Sequence, residues 1–219
     1  MADRKTIHYY DKNASSVCAR YEKSQPRELQ EFILISLSSY SARRQVRQPR
    51  ILEIGCGSGR ETAHLFRKGY EIFGVDASRA MIECARTHHP ECADRFFKAA
   101  FPLGKSPDRS QTVLQLPFDA VLLLATAMHL PDSELKTALN QIHAMLLPSG
   151  ILIISSSSGR SGIKNHRDPK GRLFIERIPE ELTRLLREHG FRILASRQDK
   201  DSLSRNITWN EFVCEKAGE

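Results

Sequence analysis

The chain has 219 residues, of which 40% are hydrophobic and 27% are charged, and this composition excludes a disordered chain and suits one folded domain with a single core. The formal net charge is +7 at pH 7, so nucleic acid, an anionic small molecule or a membrane surface are candidate partners, although a solvated basic surface is the simpler explanation. The longest apolar stretches are too short to span a membrane, and the first residues lack the apolar core of a signal peptide.

Two helical segments precede the first predicted strand. The first carries Val17, Cys18 and Tyr21 at helical spacing, and Pro26 opens the second, which is amphipathic. We therefore expect a helical segment at residues 1–48 and an α/β unit at 49–219, together making a single structural domain.

A glycine-rich turn follows that strand. Residues 50–54 have the branched aliphatic content of a buried parallel strand. Gly55, Gly57 and Gly59 then let the chain turn sharply and bring bare backbone close to a ligand, which a Cβ atom would prevent. A short helix is predicted over residues 60–69.

An acidic residue ends the second predicted strand, at residues 71–75. Asp76 lies 21 residues beyond Gly55, where a carboxylate can accept hydrogen bonds from both hydroxyls of a ribose. The pattern predicts a nucleoside-containing cofactor. The dinucleotide fingerprint G-x-G-x-x-G does not fit, because Arg60 stands where its third glycine would be.

Residues 51–59, with Glu53 ahead of G-x-G-x-G and Asp76 at its spacing, resemble motif I of the class I S-adenosylmethionine-dependent methyltransferases. The resemblance covers residues 51–154, and the remainder more loosely. It implies a Rossmann-like α/β fold: a doubly wound, mostly parallel seven-stranded sheet in the order 3-2-1-4-5-7-6, an antiparallel last strand, helices on both faces and an N-terminal helical lid. It also implies S-adenosylmethionine as cofactor, S-adenosylhomocysteine as product, and no metal.

The resemblance implies a set of cofactor contacts. Tyr10 and Tyr21 would close on the methionine end from the lid, although both could equally be packing residues with a solvated hydroxyl. Met81 would pack on adenine, with a core role as the alternative. The chain departs from the family pattern at Ala99 and Ala100, where an acidic residue often receives the adenine amino group, so backbone and shape would hold adenine. The full set is Glu53, Gly55, Cys56, Gly57, Gly59, Asp76, Ala77, Met81, Ala100, Leu124, Tyr10 and Tyr21.

The middle of the chain continues the alternation of strands and helices. Ser78 is a good N-cap for the next helix, residues 95–99 suit the third strand, and residues 102–117 resemble a long loop. The apolar run 118–125 is typical of a central parallel strand. The loop after it resembles motif IV of the family and contains His129, a candidate base or orienting donor for the acceptor. A structural histidine fixing the turn before Pro131 is the favoured alternative.

The last third is predicted to complete the sheet. Ser133 is predicted to cap a helix, and a Leu-Leu-Pro-x-Gly turn at 146–150, another family signature, leads into a strand at 151–154. The serine-rich, basic stretch 155–172 is predicted to be a mobile loop over the acceptor site. A helix at 179–189 and strands at 191–197 and 207–215 follow.

The acceptor is predicted from what the motif IV loop lacks. It contains neither the Asn/Asp-Pro-Pro-Tyr/Phe sequence of many amino methyltransferases nor the Pro-Cys pair of cytosine C5 enzymes. Our first hypothesis is therefore methyl transfer to an oxygen or nitrogen atom of a small molecule. Arg160, Arg167, Arg205 and Trp209 are candidate acceptor contacts; the arginines are compatible with an anionic acceptor, and Trp209 could instead be a core residue.

Two other hypotheses remain open. The arginines between positions 43 and 50 could dock an RNA or protein substrate, and the chain could bind S-adenosylmethionine without catalysis. Nucleic acid is possible on the first of these hypotheses but is not favoured. We expect no membrane partner, and the sequence does not predict an oligomeric state.

The histidines and cysteines do not predict a metal site. His88, His89 and Cys92 lie close together, but no further ligand stands at zinc spacing. The five cysteines form no C-x-x-C pair, which is typical of reduced thiols in a cytoplasmic protein. Cys56, inside the glycine-rich turn, is interpreted as a small filler rather than a nucleophile.

Overall fold

A computed structural model describes residues 3–104, 110–201 and 207–218. Its strands are β1 (Arg50–Ile54), β2 (Glu71–Asp76), β3 (Phe96–Lys98), β4 (Phe118–Leu123), β5 (Leu146–Ser158), β6 (Phe191–Lys200) and β7 (Thr208–Lys216). They form one sheet of seven strands in the order β3-β2-β1-β4-β5-β7-β6. β1 to β5 pair in parallel, and β7 is antiparallel to both of its neighbours. The predicted order and the antiparallel last strand are therefore confirmed.

Helices cover both faces of this sheet. They are α1 (Arg4–Lys23), α2 (Arg27–Arg44), α3 (Arg60–Arg67), α4 (Arg79–His88), α5 (Ser110–Leu114), α6 (Asp132–Met145) and α7 (Pro179–Glu188). Short 3-10 turns lie at Pro90–Arg95 and Ala127–His129.

The alternation of side chains along β1 shows how the two helix layers are held. Leu52 faces the layer that contains Leu135 of α6, whereas Ile51 faces the layer that contains Leu37 of α2. All four side chains are fully buried. Burial of one such side chain stabilises the fold by about 1.5–3 kcal/mol, so both helix layers are anchored by the hydrophobic effect.

The direction of the strands positions the functional site. The carboxyl ends of the parallel strands lie along one edge of the sheet, and the strand order reverses between β1 and β4. Ligands of open α/β sheets bind in the crevice at such a reversal. The glycine-rich turn leaves β1 at this point.

The serine-rich stretch corrects one prediction. Residues 155–158, expected to begin a mobile loop, instead extend β5, because they pair with β7 from Ser155↔Glu211 to Ser158↔Thr208. Ser155, Ser156 and Ser157 are buried. The connection to α7 therefore comprises only residues 159–178, here called the cover segment.

Helix boundaries give three further results. The first of the two N-terminal helices, α1, continues across a kink at Asn13. The Asp3 side chain accepts from the Thr6 backbone N–H at the start of this helix. Ser78 caps α4 as predicted, by accepting from Met81 N. The prediction that Ser133 caps α6 is wrong: the helix begins at Asp132, after Pro131, and has no side-chain cap.

The remaining features of the fold concern α5, the length of the apolar helices and the cysteines. The short helix α5 lies within the stretch expected to be a loop. In the part of the chain that the structure describes, no helix is both long enough and apolar enough to cross a bilayer. All five cysteines are free thiols.

Candidate active site

A cavity of about 920 Å³ lies at the carboxyl ends of β1, β2 and β4. Its floor includes residues 53–58, Asp76 and Leu124, and α1 contributes its cover through Tyr10 and Tyr21, among others. Pockets of 300–1,000 Å³ are typical of small-molecule sites, so this one is large enough for two ligands side by side.

The three glycines of the turn differ in what they make room for. A Cβ on Gly55 would lie 2.1 Å from the Thr126 hydroxyl oxygen, and a Cβ on Gly59 would lie 2.6 Å from the ring of Phe96. A Cβ on Gly57 would point into space between Met81 and Tyr21, 3.6 and 3.8 Å away. Only Gly57 therefore keeps open a cradle that a ligand can fill.

Asp76 is held at the end of β2 by backbone donors. Gly57 N donates to Oδ2 at 3.0 Å, and Ser78 N donates to Oδ1 at 2.8 Å. Burial nevertheless raises the pKa of Asp76 to about 6, and the nearby carboxylate of Asp11 adds to this effect. Asp76 is thus a carboxylate at neutral pH, fixed in orientation and facing the cavity.

Glu53 lies deeper, beneath the same turn. The Thr62 hydroxyl donates to its Oε2 at 2.5 Å. Burial, followed by the neighbouring Glu61, raises the pKa of Glu53 to about 8. Glu53 lines the cavity and is mostly protonated at pH 7, so a positively charged ligand group beside it would favour its carboxylate form.

A hydrogen-bond network connects α1 with the turn after β4. His129 Nδ1 donates to the Leu173 carbonyl at 2.6 Å, so the neutral ring has its lone pair on Nε2. The Tyr10 hydroxyl donates to that Nε2 at 3.3 Å and accepts from Arg172 Nη1, also at 3.3 Å. Asp168 Oδ2 in turn accepts from Arg172 Nε and Nη2 at 2.9 and 2.7 Å.

The charge state of His129 follows from its surroundings. Burial lowers the pKa of His129 to about 4; the Leu173 carbonyl opposes this, while Arg172 and Arg160 add to it, against Asp168. The ring is therefore neutral at physiological pH and offers a proton acceptor. Burial, followed by Tyr21, raises the pKa of Tyr10, so its hydroxyl keeps its proton.

A sequence model described as a methyltransferase domain matches residues 21–196, which is most of the chain. The chain belongs to the class I S-adenosylmethionine-dependent methyltransferases. The resemblance inferred from residues 51–59 and Asp76 is thereby confirmed.

Individual relatives of this methyltransferase act on different atoms. It is 30% identical over 137 residues to a ubiquinone biosynthesis O-methyltransferase of Alkalilimnicola ehrlichii, covering 63% of this chain and 50% of the relative. It is 32% identical over 117 residues to human glycine N-methyltransferase, covering 48% and 39%. The chain thus spans about half or less of the length of the curated relatives it matches.

A solved structure shares the fold. The 1,6-didemethyltoxoflavin-N1-methyltransferase of Burkholderia thailandensis, crystallised with 1,6-didemethyltoxoflavin and S-adenosylhomocysteine, superposes with a TM-score of 0.67 at 20% identity. The match covers 97% of this chain and 88% of that one.

The structure places most of the expected cofactor contacts of this methyltransferase around the cavity, with two exceptions. Gly59 does not line it, because it packs against Phe96 instead. Ala100 does not line it either, whereas Ala99 and Phe101 do. The residues that line it as expected are Glu53, Gly55, Cys56, Gly57, Asp76, Ala77, Met81, Leu124, Tyr10 and Tyr21.

The expected acceptor contacts divide differently. Arg160 lines the cavity and stacks on Phe174 at 4.2 Å from the ring centroid. Trp209 lines it and donates from Nε1 to Asp201 at 2.9 Å. Arg167 does not line the cavity, since its guanidinium binds both carboxylate oxygens of Asp3 at 3.1 and 2.8 Å. Arg205 lies outside the described residues.

Sequence reasoning gave Arg60 and Glu61 no role in the site, and it predicted Arg172 only as one of the basic residues of the stretch 155–172. Arg60 and Glu61 line the cavity, and Arg172 carries the network to Tyr10. Arg60 was visible only as a departure from the dinucleotide fingerprint. Arg172 follows Asp168 by four residues, a spacing that allows an ion pair but does not say where it points.

The structure shows the environment of the Cys56 thiol and the distribution of the side chains that could bind a metal ion. Burial raises the pKa of Cys56 well above its usual range, which fits a filler rather than a nucleophile. Within residues 3–104, 110–201 and 207–218, no group of three or more His, Cys, Asp or Glu side chains could hold a metal ion.

Proposed function

We propose that this methyltransferase transfers the methyl group of S-adenosylmethionine to an oxygen or nitrogen atom of a small molecule. The observation that carries the proposal is a single covered cavity with two chemically different ends. Asp76 stands at the end of β2, and Trp209 lies on β7, with β1, β4 and β5 between them. A nucleoside end and an acceptor end can therefore be occupied together.

The first end fits an adenosyl group. Asp76 has oxygen lone pairs left for ribose hydroxyls after its two backbone contacts. Gly57 leaves the space that a side chain would fill. Glu53, beneath the turn, would lose its proton beside the ammonium of the methionine part and bind it as a carboxylate.

When bound, S-adenosylmethionine supplies a methyl group activated by a positively charged sulfur. The chain then needs to hold an acceptor atom in line at roughly 3 Å and to exclude water. α1 and the cover segment enclose the cavity for this purpose. The Tyr10 oxygen, held between His129 Nε2 and Arg172 Nη1, is proposed to orient the acceptor by accepting a hydrogen bond from it.

The acceptor is proposed to be small because α1 and the cover segment close over it. O- and N-methyltransferases occur among the relatives, so the methylated atom is left as either. Arg167 and Arg172 are paired with Asp3 and Asp168. The cover segment therefore brings less uncompensated positive charge than its sequence indicates, and the proposal does not require an anionic acceptor.

A labelled-donor screen tests this function. The full chain is incubated with a cell extract and S-adenosylmethionine carrying a labelled methyl group, and products are identified by mass spectrometry. We expect a labelled small molecule with the wild-type chain and none with Asp76→Ala. S-adenosylmethionine binding without any labelled product would instead favour a non-catalytic binding protein, and a labelled RNA or protein would favour the docking hypothesis.

A further inference from the structure

Arg60 joins the glycine-rich turn to the helix above it. It is the first residue of α3, directly after Gly59, and its side chain lies in the cavity wall. Its Nη1 donates to the main-chain oxygen of Tyr21 at 2.8 Å and to that of Ser24 at 3.5 Å. One guanidinium therefore binds both the last turn of α1 and the residue that follows it.

The contact is made at a place where a helix needs it. The Tyr21 carbonyl also accepts from Ser24 N at 3.0 Å, and a cation near the last carbonyls of a helix is favourable because of the helix dipole. Glu61 fixes the orientation of the cation, since both of its carboxylate oxygens accept from Arg60 Nε at 2.9 Å. The planar guanidinium of an arginine can bind two partners at once in a fixed geometry, whereas the ammonium of a lysine acts as a single point charge.

The position of this helix end matters for the ligand. Tyr21 projects its ring toward Gly57, so that a Cβ on Gly57 would lie 3.8 Å from the ring. Arg60 holds the backbone of the same tyrosine. The other polar contacts of α1 include Asp3 with Arg167 at its start, Asp11 with Ser78 near its middle, and Glu22 with His89 at 3.4 Å, one residue beyond Tyr21.

We propose that Arg60 is a positioning residue that couples occupation of the nucleoside end of the cavity to the closed position of the C-terminal end of α1. It acts on the ligand through Tyr21, whose ring forms the wall opposite Gly57. The inference rests on the proposed function, because the ligand is an adenosyl compound. It adds a role for a residue that follows the glycine motif rather than belonging to it.

S-adenosylhomocysteine is a suitable probe because its binding needs no acceptor. Binding to the full chain is measured by calorimetry, and hydrogen exchange is followed in peptides from residues 3–24. In the wild type we expect the ligand to slow exchange at residues 14–24. Arg60→Met should weaken binding roughly tenfold or more, the range expected for loss of a charge-assisted hydrogen bond, and should abolish that slowing.

Two further variants sharpen the experiment. Arg60→Lys should give an intermediate affinity with partial slowing, because an ammonium can still donate to the Tyr21 carbonyl. Arg67→Met, on the same helix but 53% exposed and paired with Glu91, should bind as the wild type does. Melting curves of the ligand-free variants establish that each is folded. If Arg60→Met does not melt cooperatively, Arg60→Lys decides by the same two measurements.

The results that overturn the inference are distinct. Wild-type affinity and slowing in Arg60→Met would remove any role for the residue. Weaker binding with the slowing intact would mean that Arg60 contacts the ligand directly and does not act through α1. No binding of S-adenosylhomocysteine by the wild type would overturn the proposed function together with this inference.

Discussion

Asp76 illustrates how a single residue can be ready for a ligand yet costly to keep charged. Its two backbone donors stabilise the carboxylate, but burial raises its pKa to about 6. Both oxygens of this side chain can accept hydrogen bonds from ribose hydroxyls only when the carboxyl group is deprotonated.

The affinity for S-adenosylhomocysteine should therefore depend on pH. A raised pKa means that the carboxylate form dominates above about pH 6 and is lost as the pH falls through that value. We expect wild-type affinity to rise between pH 5 and pH 7 in calorimetry. Asp76→Asn should bind more weakly at pH 7 and should lack this rise. A rise of equal size in the variant would assign the titration to another group.

The glycines allow a second prediction, because Gly55 and Gly57 both have positive φ, at +77° and +55°, but have different neighbours. Gly57→Val should abolish S-adenosylhomocysteine binding while the protein still melts cooperatively, since the side chain fills the cradle. Gly55→Ala should instead lower the melting temperature, because its Cβ clashes with Thr126. The opposite assignment of the two effects would contradict the placement of the cradle.

At the scale of elements, one buried carboxylate adds a polar contact between α2 and the sheet to their apolar packing. The Tyr40 hydroxyl donates to Asp119 Oδ1 at 2.7 Å, and Arg50 N donates to Oδ2 at 2.8 Å. Asp119 is therefore shared by α2, β1 and β4. The contact between Tyr40 and Asp119 was not recognised from the sequence, because the two residues are 79 positions apart.

Loss of the Tyr40 hydroxyl should be costly. Tyr40→Phe leaves one oxygen of a buried carboxylate without its donor, and we expect the free energy of unfolding to fall by about 1.5–3 kcal/mol. Urea denaturation measures the change. Tyr9→Phe, which removes a hydroxyl bonded to the exposed Lys170 side chain, should change stability by less than about 0.5 kcal/mol.

The elements also show what the sequence could and could not predict. Strands rich in branched residues and the glycine-rich turn are local signals, so β1, β2 and β4 were found in place. The serines of residues 155–158 have no such signal, and only pairing with β7 makes them a strand. The start of α6 was misplaced because Ser133 is a residue type that often caps helices, whereas it lies inside a helix that begins at Asp132 without a side-chain cap.

Across the whole molecule, the positive charge is partly compensated where it is densest in sequence. Arg43 pairs with Glu215 and Arg50 pairs with Glu71. Two of the arginines that could have formed a docking patch are thus engaged in ion pairs. The stretch between positions 43 and 50 therefore carries less uncompensated positive charge than its sequence indicates.

Chromatography can test this distribution of charge. We expect the protein to leave heparin and a plain sulfonate resin at the same salt concentration, because its +7 charge acts without a dedicated polyanion site. Arg43→Glu should shift both elutions by similar amounts. Selective retention on heparin, lost in Arg43→Glu, would instead support nucleic-acid docking.

Only part of the candidate site could be predicted from the sequence. Gly57 and Asp76 could be predicted because the motif and its spacing occupy one short stretch. The hydrogen-bond network from Asp168 to His129 could not be predicted from the sequence. Tyr10 lies on α1, whereas Arg172 and Leu173 lie in the cover segment, and these elements meet His129 only in the folded chain.

Trp209, finally, is the only tryptophan of the chain and lies at the end of the cavity away from Asp76. Its indole is anchored to Asp201, so its fluorescence reports on one defined environment. Entry of an acceptor should change the emission, whereas an adenosyl ligand alone should leave it nearly constant. Under the proposed function, this fluorescence would report the filling of the acceptor end of the cavity separately from the filling of the end beside Asp76.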